Sequence, residues 1–194
     1  MSSTSQIRAW TSPILDRIWR ENAAVRDALL IQVQGLTEVQ LNFRPAPGRW
    51  SIGEILDHLC LAERSIGRTV SRLFQQAAGR GMVSEIGAMD PPAAAIDLAR
   101  YSRPASAPEG MRPSPERPLA RLLAGLEESR ERLLEVSARA DGLVVGDVRL
   151  EHFQLGEINF YQWLTLEGAH ESKHLDQVRQ IKSDHGFTSA VPKP

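Results

Sequence analysis

The residues with the clearest potential for chemistry lie near the C-terminus, where the chain reads HESKH from His170 to His174. This stretch matches HExxH, the pattern in which two zinc-binding histidines accompany a glutamate that acts as general base in metalloproteases. On a helix, residues i and i+4 lie on one face, so both imidazoles can reach one metal ion. The pattern therefore predicts a metal site, although five residues alone do not establish proteolysis.

The residues around this motif argue against a protease. The extended metzincin pattern needs a glycine three residues and a histidine six residues after the second histidine, and Gln177 and Gln180 occupy these positions. After Glu171 the chain contains no glutamate that a following helix could supply as a third ligand. No strand is predicted that could hold an extended peptide. Glu171 itself follows an inward histidine and is interpreted as a solvated charge rather than as a general base.

Four amphipathic segments predict the helices that position these side chains, at about residues 12–35, 51–78, 115–140 and 159–185. The first begins with Ser12 before a proline, an N-cap followed by a residue suited to the first helical position. The second begins in WSIGEI, where Ser51 and Glu54 form a capping box. Local chemistry therefore fixes both helix starts to within a residue or so.

The remaining two helices have similar start signals. Ser114 followed by Pro115 predicts the start of the third helix, and Asn159 marks the start of the fourth. The fourth helix is expected to end at His185 and Gly186, with His185 as a cation at the helix C-terminus.

A long connection separates the second helix from the third. From Gly79 to Pro118 the chain has seven of its twelve prolines and no sustained periodicity, which indicates a connection and not a second domain. Such a crossover can join helices that run in the same direction. The stretch LVVGDVRLEHFQLGEINF could hold a short extended piece, but an ordered loop is expected. Four long helices without a convincing strand pair predict an all-α fold, one four-helix-bundle domain over residues 1–194.

The helix faces point to a third metal ligand. The inward stripe of the fourth helix comprises Trp163, Leu166, His170, His174, Val178 and Ile181. His58 lies beside the apolar stripe of the second helix, about two turns after its cap. Facing helices of a bundle can build a metal site between them. Two histidines from one helix and His58 from another would leave an open position for water or substrate, as catalytic zinc sites do.

Composition excludes several classes of partner. The chain has 23 basic and 24 acidic residues and a net charge of -1, so no electrostatic case exists for nucleic acid or an anionic membrane. Cys60 is the only cysteine, and the N-terminal MSSTSQIRAW lacks the charged start and apolar run of a secretion signal. No apolar stretch approaches the length of a membrane span. A soluble, cytoplasmic protein with a small-molecule substrate is expected.

Two segments, LTEVQLNFRPAPGRWSIGEILDHL and EHFQLGEINFYQWLTLEGAHESKHLDQVRQI, resemble the DinB-like superfamily, which includes bacillithiol S-transferases and mycothiol-dependent isomerases. The resemblance extends over residues 12–185 and depends on the motifs WSIGEILDHL and HxxxHLxQ. It implies a four-helix bundle of up-down-down-up topology, often a homodimer, with a divalent metal, commonly zinc or nickel, held by three histidines. These ligands fall on His58, His170 and His174.

Two functions from different classes follow. The first is a metal-dependent enzyme that activates a low-molecular-weight thiol, as an S-transferase does, or water, as a hydrolase does. No protein nucleophile is assigned, because neither Ser51 nor Cys60 has neighbours that would activate it. The alternative is a non-catalytic, metal-stabilised bundle that serves binding or dimerisation in a stress response.

The other conspicuous side chains have structural interpretations. Trp50 and Trp163 are assigned to the core, and Cys60 is interpreted as a packed thiol. His152 is expected to anchor a loop. Gln177, one turn after His174, either orients a ligand or packs as an ordinary helix amide.

Overall fold

Four long helices pack together, as the sequence predicts. The computed structural model describes residues 9–80, 95–101 and 107–189. The long helices are α1 (Pro13–Val33), α3 (Ile52–Gly79), α5 (Leu119–Ala140) and α6 (Phe160–Lys182). The short helices are α2 (Glu38–Asn42), α4 (Leu98–Tyr101) and α7 (His185–Ser189), and Glu109–Met111 forms a 3-10 turn. Helix α3 packs along both α5 and α6, and α1 packs along α6.

Contacts at successive positions give the relative direction of α3 and α5. Cys60 of α3 contacts the Leu122 carbonyl of α5, and further along both helices the Arg139 guanidinium lies 4.7 Å from the centre of the Phe74 ring. Helices α3 and α5 therefore run in the same direction, as a crossover connection allows. The complete up-down-down-up order stays a prediction.

The predicted helix starts are confirmed where cap chemistry is local. The Ser51 hydroxyl accepts a hydrogen bond from the backbone N–H of Glu54 at 3.2 Å, and the Glu54 carboxylate accepts one from Ser51 N–H at 2.9 Å. Asn159 and Gln162 form the same reciprocal box at the start of α6. Each cap contributes about 1 kcal/mol and fixes where its helix begins, which sets the face of every later residue.

The predicted start of the third helix is wrong. Helix α5 begins at Leu119, after Pro118, and not at Ser114 and Pro115. The backbone N–H of Ser114 donates to Asp57 Oδ2 on α3 at 2.8 Å. This hydrogen bond holds the end of the crossover against α3, and helix α5 begins four residues later than predicted.

The predicted end of the fourth helix is also wrong. Helix α6 ends at Lys182, where the backbone N–H of Ser183 bonds to the Arg179 and Gln180 carbonyl groups. His185 begins the short helix α7 and is not the C-terminal cation of α6.

The segment expected to be a loop contains a β-hairpin. Strands β1 (Arg149–His152) and β2 (Gly156–Asn159) pair in antiparallel register, with Arg149 opposite Asn159 and His152 opposite Gly156. Gly156 has φ +76°, a left-handed conformation that glycine adopts without strain. His152 Nδ1 lies 3.3 Å from two backbone N–H groups of the turn, which confirms its role as a loop anchor. The hairpin was not predicted because each of its strands has only four residues and carries charged side chains.

The crossover is described in part. Residues 81–94 and 102–106 of the predicted connection lie outside the described residues. The described pieces are α4 and the 3-10 turn, and the latter packs on α3. Within residues 9–80, 95–101 and 107–189, no helix is long and apolar enough to cross a membrane.

A polar layer divides the apolar core into two clusters. One cluster includes Ile18, Val70 and Leu164, and the other includes Leu29, Leu56 and Val178. Between them along the helices lie the largely buried Arg130 and buried polar and charged residues from all four long helices: Asn22, Arg26, Glu63, Ser129, Glu167, Glu171 and His174. Buried polar groups need partners, and the partners decide what each part of this layer does.

Candidate metal centre

The three histidines named by the sequence come together between two helices. Helix α3 carries His58, and α6 carries His170 and His174 one turn apart. One ring nitrogen from each histidine lies within 4.8 Å of the other two. His170 Nε2 lies 3.1 Å from His58 Nε2 and 3.1 Å from His174 Nε2. We call these residues the histidine triad.

Hydrogen bonds on the outer side of the triad fix which nitrogens face inward. His58 Nδ1 lies 2.7 Å from the carbonyl oxygen of Met111, and His174 Nδ1 lies 2.8 Å from Gln177 Oε1. Because these oxygens only accept, each Nδ1 carries the proton and donates it. The Nε2 lone pairs of His58 and His174 therefore point toward His170, as they do in metal sites whose ligands are oriented by outer hydrogen bonds.

Protons alone satisfy this arrangement poorly. Burial lowers the pKa of His58, lowers that of His170 well below its ordinary value, and lowers that of His174 to about 4. A neutral imidazole carries one N–H proton, and His58 and His174 hold theirs on the outer Nδ1 atoms. Only His170 can place a proton on an inner nitrogen, and that one proton would have to serve both 3.1 Å nitrogen–nitrogen contacts. A cation satisfies all three lone pairs. Zinc–nitrogen bonds of about 2.0–2.1 Å at tetrahedral angles separate two ligand nitrogens by about 3.3 Å, close to the spacing found here.

The crossover holds the α3 side of the site in place. Met111, whose carbonyl accepts from His58, belongs to the 3-10 turn. The adjacent Asp57 accepts from the Ser114 backbone and pairs with Arg117 at 3.2 Å. Two consecutive residues of α3, Asp57 and His58, therefore bind the part of the crossover whose Met111 carbonyl orients His58. No sequence pattern could have identified Met111, because the group it contributes is a backbone carbonyl.

Trp50 forms a wall of the triad. Its ring centre lies 4.8 Å from that of His58 and 6.1 Å from that of His174. The assignment of Trp50 to the core is therefore incomplete, since its half-buried ring packs directly against two imidazoles. Trp50 lies one residue before the N-cap of α3, which places its ring beside the first turns of that helix. This position is the sequence feature that could have predicted its contact with His58. Trp163 is buried, as expected.

Gln177 orients His174 and is more than a packing amide. Its Oε1 accepts the His174 Nδ1 proton, which resolves the alternative left open by the sequence. Cys60 is a packed thiol, as predicted. Burial raises its pKa to about 11, so it is protonated and unreactive at neutral pH.

Glu171 is buried, contrary to its interpretation from the sequence. It is 0% exposed, and its two carboxylate oxygens pair with Arg26 and Arg130. The expected solvated charge is wrong because α6 packs against α1 as well as α3, so more than one of its faces is buried. With both oxygens bound by guanidinium groups, Glu171 is unsuited to act as a general base.

Glu171 belongs to a buried ionic layer, which we define as Arg26, Glu63, Arg130, Glu167 and Glu171. Arg130 Nε lies 2.6 Å from Glu63 Oε1, and Arg130 Nη2 lies 3.0 Å from Glu167 Oε1. Burial alone would raise the pKa of Glu63, but Arg130 and Arg26 hold it below its ordinary value. Burial raises the pKa of Glu167 well above its ordinary value. The layer therefore contains two guanidinium groups and three carboxyl groups of unequal acidity.

Comparison with known proteins places the whole bundle among related chains. A family model of the DinB superfamily matches residues 21–178. The uncharacterized protein YuaE of Bacillus subtilis (strain 168) is 26% identical over 159 residues, which cover 78% of this chain and 88% of YuaE. The crystal structure of TT2238, described as a four-helix bundle protein, matches with a TM-score of 0.60 at 23% identity, covering 85% of this chain and 98% of that chain. This likeness confirms the four-helix-bundle fold.

Proposed function

The chain belongs to the DinB superfamily, and from this premise we propose that it is a metal-dependent enzyme in which the histidine triad holds one divalent cation, zinc or nickel. The observation that carries the proposal is the pair of 3.1 Å contacts that His170 Nε2 makes with the Nε2 atoms of His58 and His174. Hydrogen bonds at both outer Nδ1 atoms turn lone pairs inward, and inward lone pairs are what a cation binds.

A small molecule is the proposed substrate. A divalent cation held by three imidazoles keeps a coordination position open and acidifies a thiol or water that occupies it, which suits S-transfer or hydrolysis. The protein's own groups prepare the site for this chemistry. Met111 and Gln177 set the ring tautomers, and Trp50 shields the rings of His58 and His174 on one side.

Elemental analysis of protein purified without chelators or a histidine tag tests the metal. Wild type is expected to contain one metal per chain, and His58→Ala and His174→Ala are expected to lose it. His185→Ala, which removes an exposed histidine on α7 outside the triad, is the matched control and should keep the metal. No metal in wild type, or metal retained by His58→Ala with an intact circular dichroism spectrum, would remove the triad as the metal site.

Cobalt substitution distinguishes an enzyme from a metal-stabilised bundle. In the enzyme, adding 2-mercaptoethanol to the cobalt-loaded protein should produce a thiolate-to-cobalt charge-transfer band, because a coordination position is open. A spectrum unchanged by thiol and by other small ligands would favour the non-catalytic alternative.

A further inference from the structure

A cavity of about 460 Å³ lies next to the histidine triad. It is bounded by the loop that precedes α3, by the first turn of α3 and by the C-terminal part of α6. Two of its lining residues, Trp50 and Gln177, also contact the triad: Trp50 packs on His58, and Gln177 accepts from His174. A molecule in this cavity would be separated from two triad histidines by one side chain.

The polar side chains of the cavity lining are a guanidinium and two amides, from Arg49, Gln177 and Gln180. Arg49 lines it and, among the described residues, forms no ion pair, whereas the nearby Arg44 pairs with Glu54 at 2.6 Å. In the part of the chain that the structure describes, no carboxylate lines the cavity. Because Gln177 Oε1 is engaged by His174, its Nε2 group is left to donate. The described lining therefore offers a guanidinium and amide donors and carries no negatively charged side chain.

The remaining surface of the cavity suits an apolar group. Trp50, Ile55 and Ile181 contribute aromatic and aliphatic faces. The volume falls in the range of about 300–1,000 Å³ typical of pockets for small organic ligands. One guanidinium matches a singly charged carboxylate, with which it can form two parallel hydrogen bonds. A phosphate group, with nearly two negative charges, generally has more than one cation around it.

We propose that this cavity binds a small organic carboxylate, with the carboxylate on Arg49 and Gln177 and the apolar part against Trp50. If the metal-dependent function holds, this is the binding site for the acidic end of the substrate, and the reactive group extends past Trp50 toward the triad. That role depends on the proposed function, whereas carboxylate binding itself does not.

Isothermal titration calorimetry with a matched pair of probes tests the inference. The probes are 3-phenylpropionate and its neutral amide, 3-phenylpropanamide, which share an aromatic body and differ in charge. Wild type is expected to bind the acid about tenfold more tightly than the amide, the difference typical of a charge-assisted hydrogen-bonded pair. Arg49→Gln should weaken acid binding about tenfold and leave amide binding unchanged. Arg20→Gln, which removes an exposed guanidinium from α1, is the control and should bind as wild type does.

Several results would overturn the inference. Equal binding of acid and amide, or an Arg49→Gln variant that binds the acid as wild type does, would contradict the guanidinium contact. Displacement of the acid by equimolar inorganic phosphate would assign Arg49 to phosphate instead.

Chelator-treated wild type separates this inference from the proposed function. It should bind the acid with affinity unchanged within about threefold, because the predicted contacts are to protein groups. Loss of acid binding on metal removal would show that the carboxylate binds the metal and not Arg49. Absence of any metal in the purified protein would defeat the proposed function and leave carboxylate binding by the cavity intact.

Discussion

Two polar clusters lie next to each other inside the bundle and have opposite chemistry. The ionic layer joins groups of opposite charge, and both oxygens of Glu63 and of Glu171 have partners within it or beside it. The histidine triad joins three groups of the same kind. His58 and His174 have hydrogen-bond partners outside the cluster, while the Nε2 atoms of all three histidines face one another. The clusters meet on α6, where Glu171 follows His170 directly.

The difference distinguishes a cluster whose groups satisfy one another from a cluster that could hold a metal ion. Guanidinium and carboxylate groups neutralise one another, so the ionic layer needs nothing from outside the protein. The three imidazoles all have pKa values lowered by burial, so they are neutral at neutral pH. Because His58 and His174 hold their protons on the outer Nδ1 atoms, only His170 can place a proton among the inner nitrogens. Three inward-facing imidazole nitrogens could hold a metal ion, and we propose that a cation is the ligand of this cluster.

The largest expected effect comes from breaking the ionic layer. Arg130 pairs with Glu63, Glu167 and Glu171, and its side chain is 11% exposed. Arg130→Met leaves carboxylates buried without their cation and should lower the free energy of unfolding by about 3–5 kcal/mol, measured by urea denaturation. The matched control is Arg132→Met, whose exposed pair with Glu128 on the same helix should be worth about 0.5 kcal/mol or less. Equal losses in the two variants would contradict the structural role of the layer.

A smaller effect is expected at the helix contact that positions both clusters. A Cβ added at Gly168 on α6 would lie 2.1 Å from Asn22 Oδ1 on α1, and Asn22 is held by its hydrogen bond to the Leu164 carbonyl. Gly168→Ala must push α1 and α6 apart, and we expect a loss of about 1–3 kcal/mol in the free energy of unfolding.

A second glycine provides the control for helix propensity. A Cβ at Gly67, in the interior of α3, meets nothing within 4 Å. Gly67→Ala should therefore stabilise the protein by about 0.5–1 kcal/mol in the same urea assay. Stabilisation by both substitutions would show that α1 and α6 do not need this close approach.

Sequence reasoning succeeded where the determining chemistry is local. The boxes at Ser51 and Asn159 each involve residues three apart, and they fixed two helix starts. The pairing of His170 with His174 depends on helical spacing alone. The start predicted at Ser114 failed because its backbone N–H bonds to Asp57, which lies 57 residues away.

The burial of the ionic layer was not predicted from the sequence for a different reason. Hydrophobic periodicity identifies a buried face by its apolar residues, so Arg26, Glu63 and Glu171 read as surface positions. Their burial depends on charges supplied by other helices. The sequence of one helix does not indicate that its charged residue pairs with an opposite charge on another helix.

The smallest expected effect concerns Glu167, the member of the ionic layer whose pKa is raised. Its Oε1 accepts from Arg130, while Oε2 is buried and has no hydrogen-bond partner in the part of the chain that the structure describes. Burial raises its pKa well above the ordinary value of 4.5. Between 4.5 and that raised pKa, the folded protein holds a proton that the unfolded chain has released. Stability contributed by this group therefore falls as pH rises through this interval.

Glu167→Gln removes this titration while keeping a side chain of the same shape. The variant should equal wild type in stability at low pH and match or exceed it by up to about 1 kcal/mol near pH 8, with a flatter pH profile in urea unfolding. Glu171→Gln is the control, because both of its oxygens pair with guanidinium groups and the substitution should destabilise the protein at neutral pH. If the two variants lose the same stability near pH 8, Glu167 is an ordinary ion-pair partner and the ionic layer is uniformly charged. If Glu167→Gln alone is tolerated, the layer holds two guanidinium groups against two carboxylates and one neutral acid, so its charges balance within the protein, whereas the neutral triad could accept a cation.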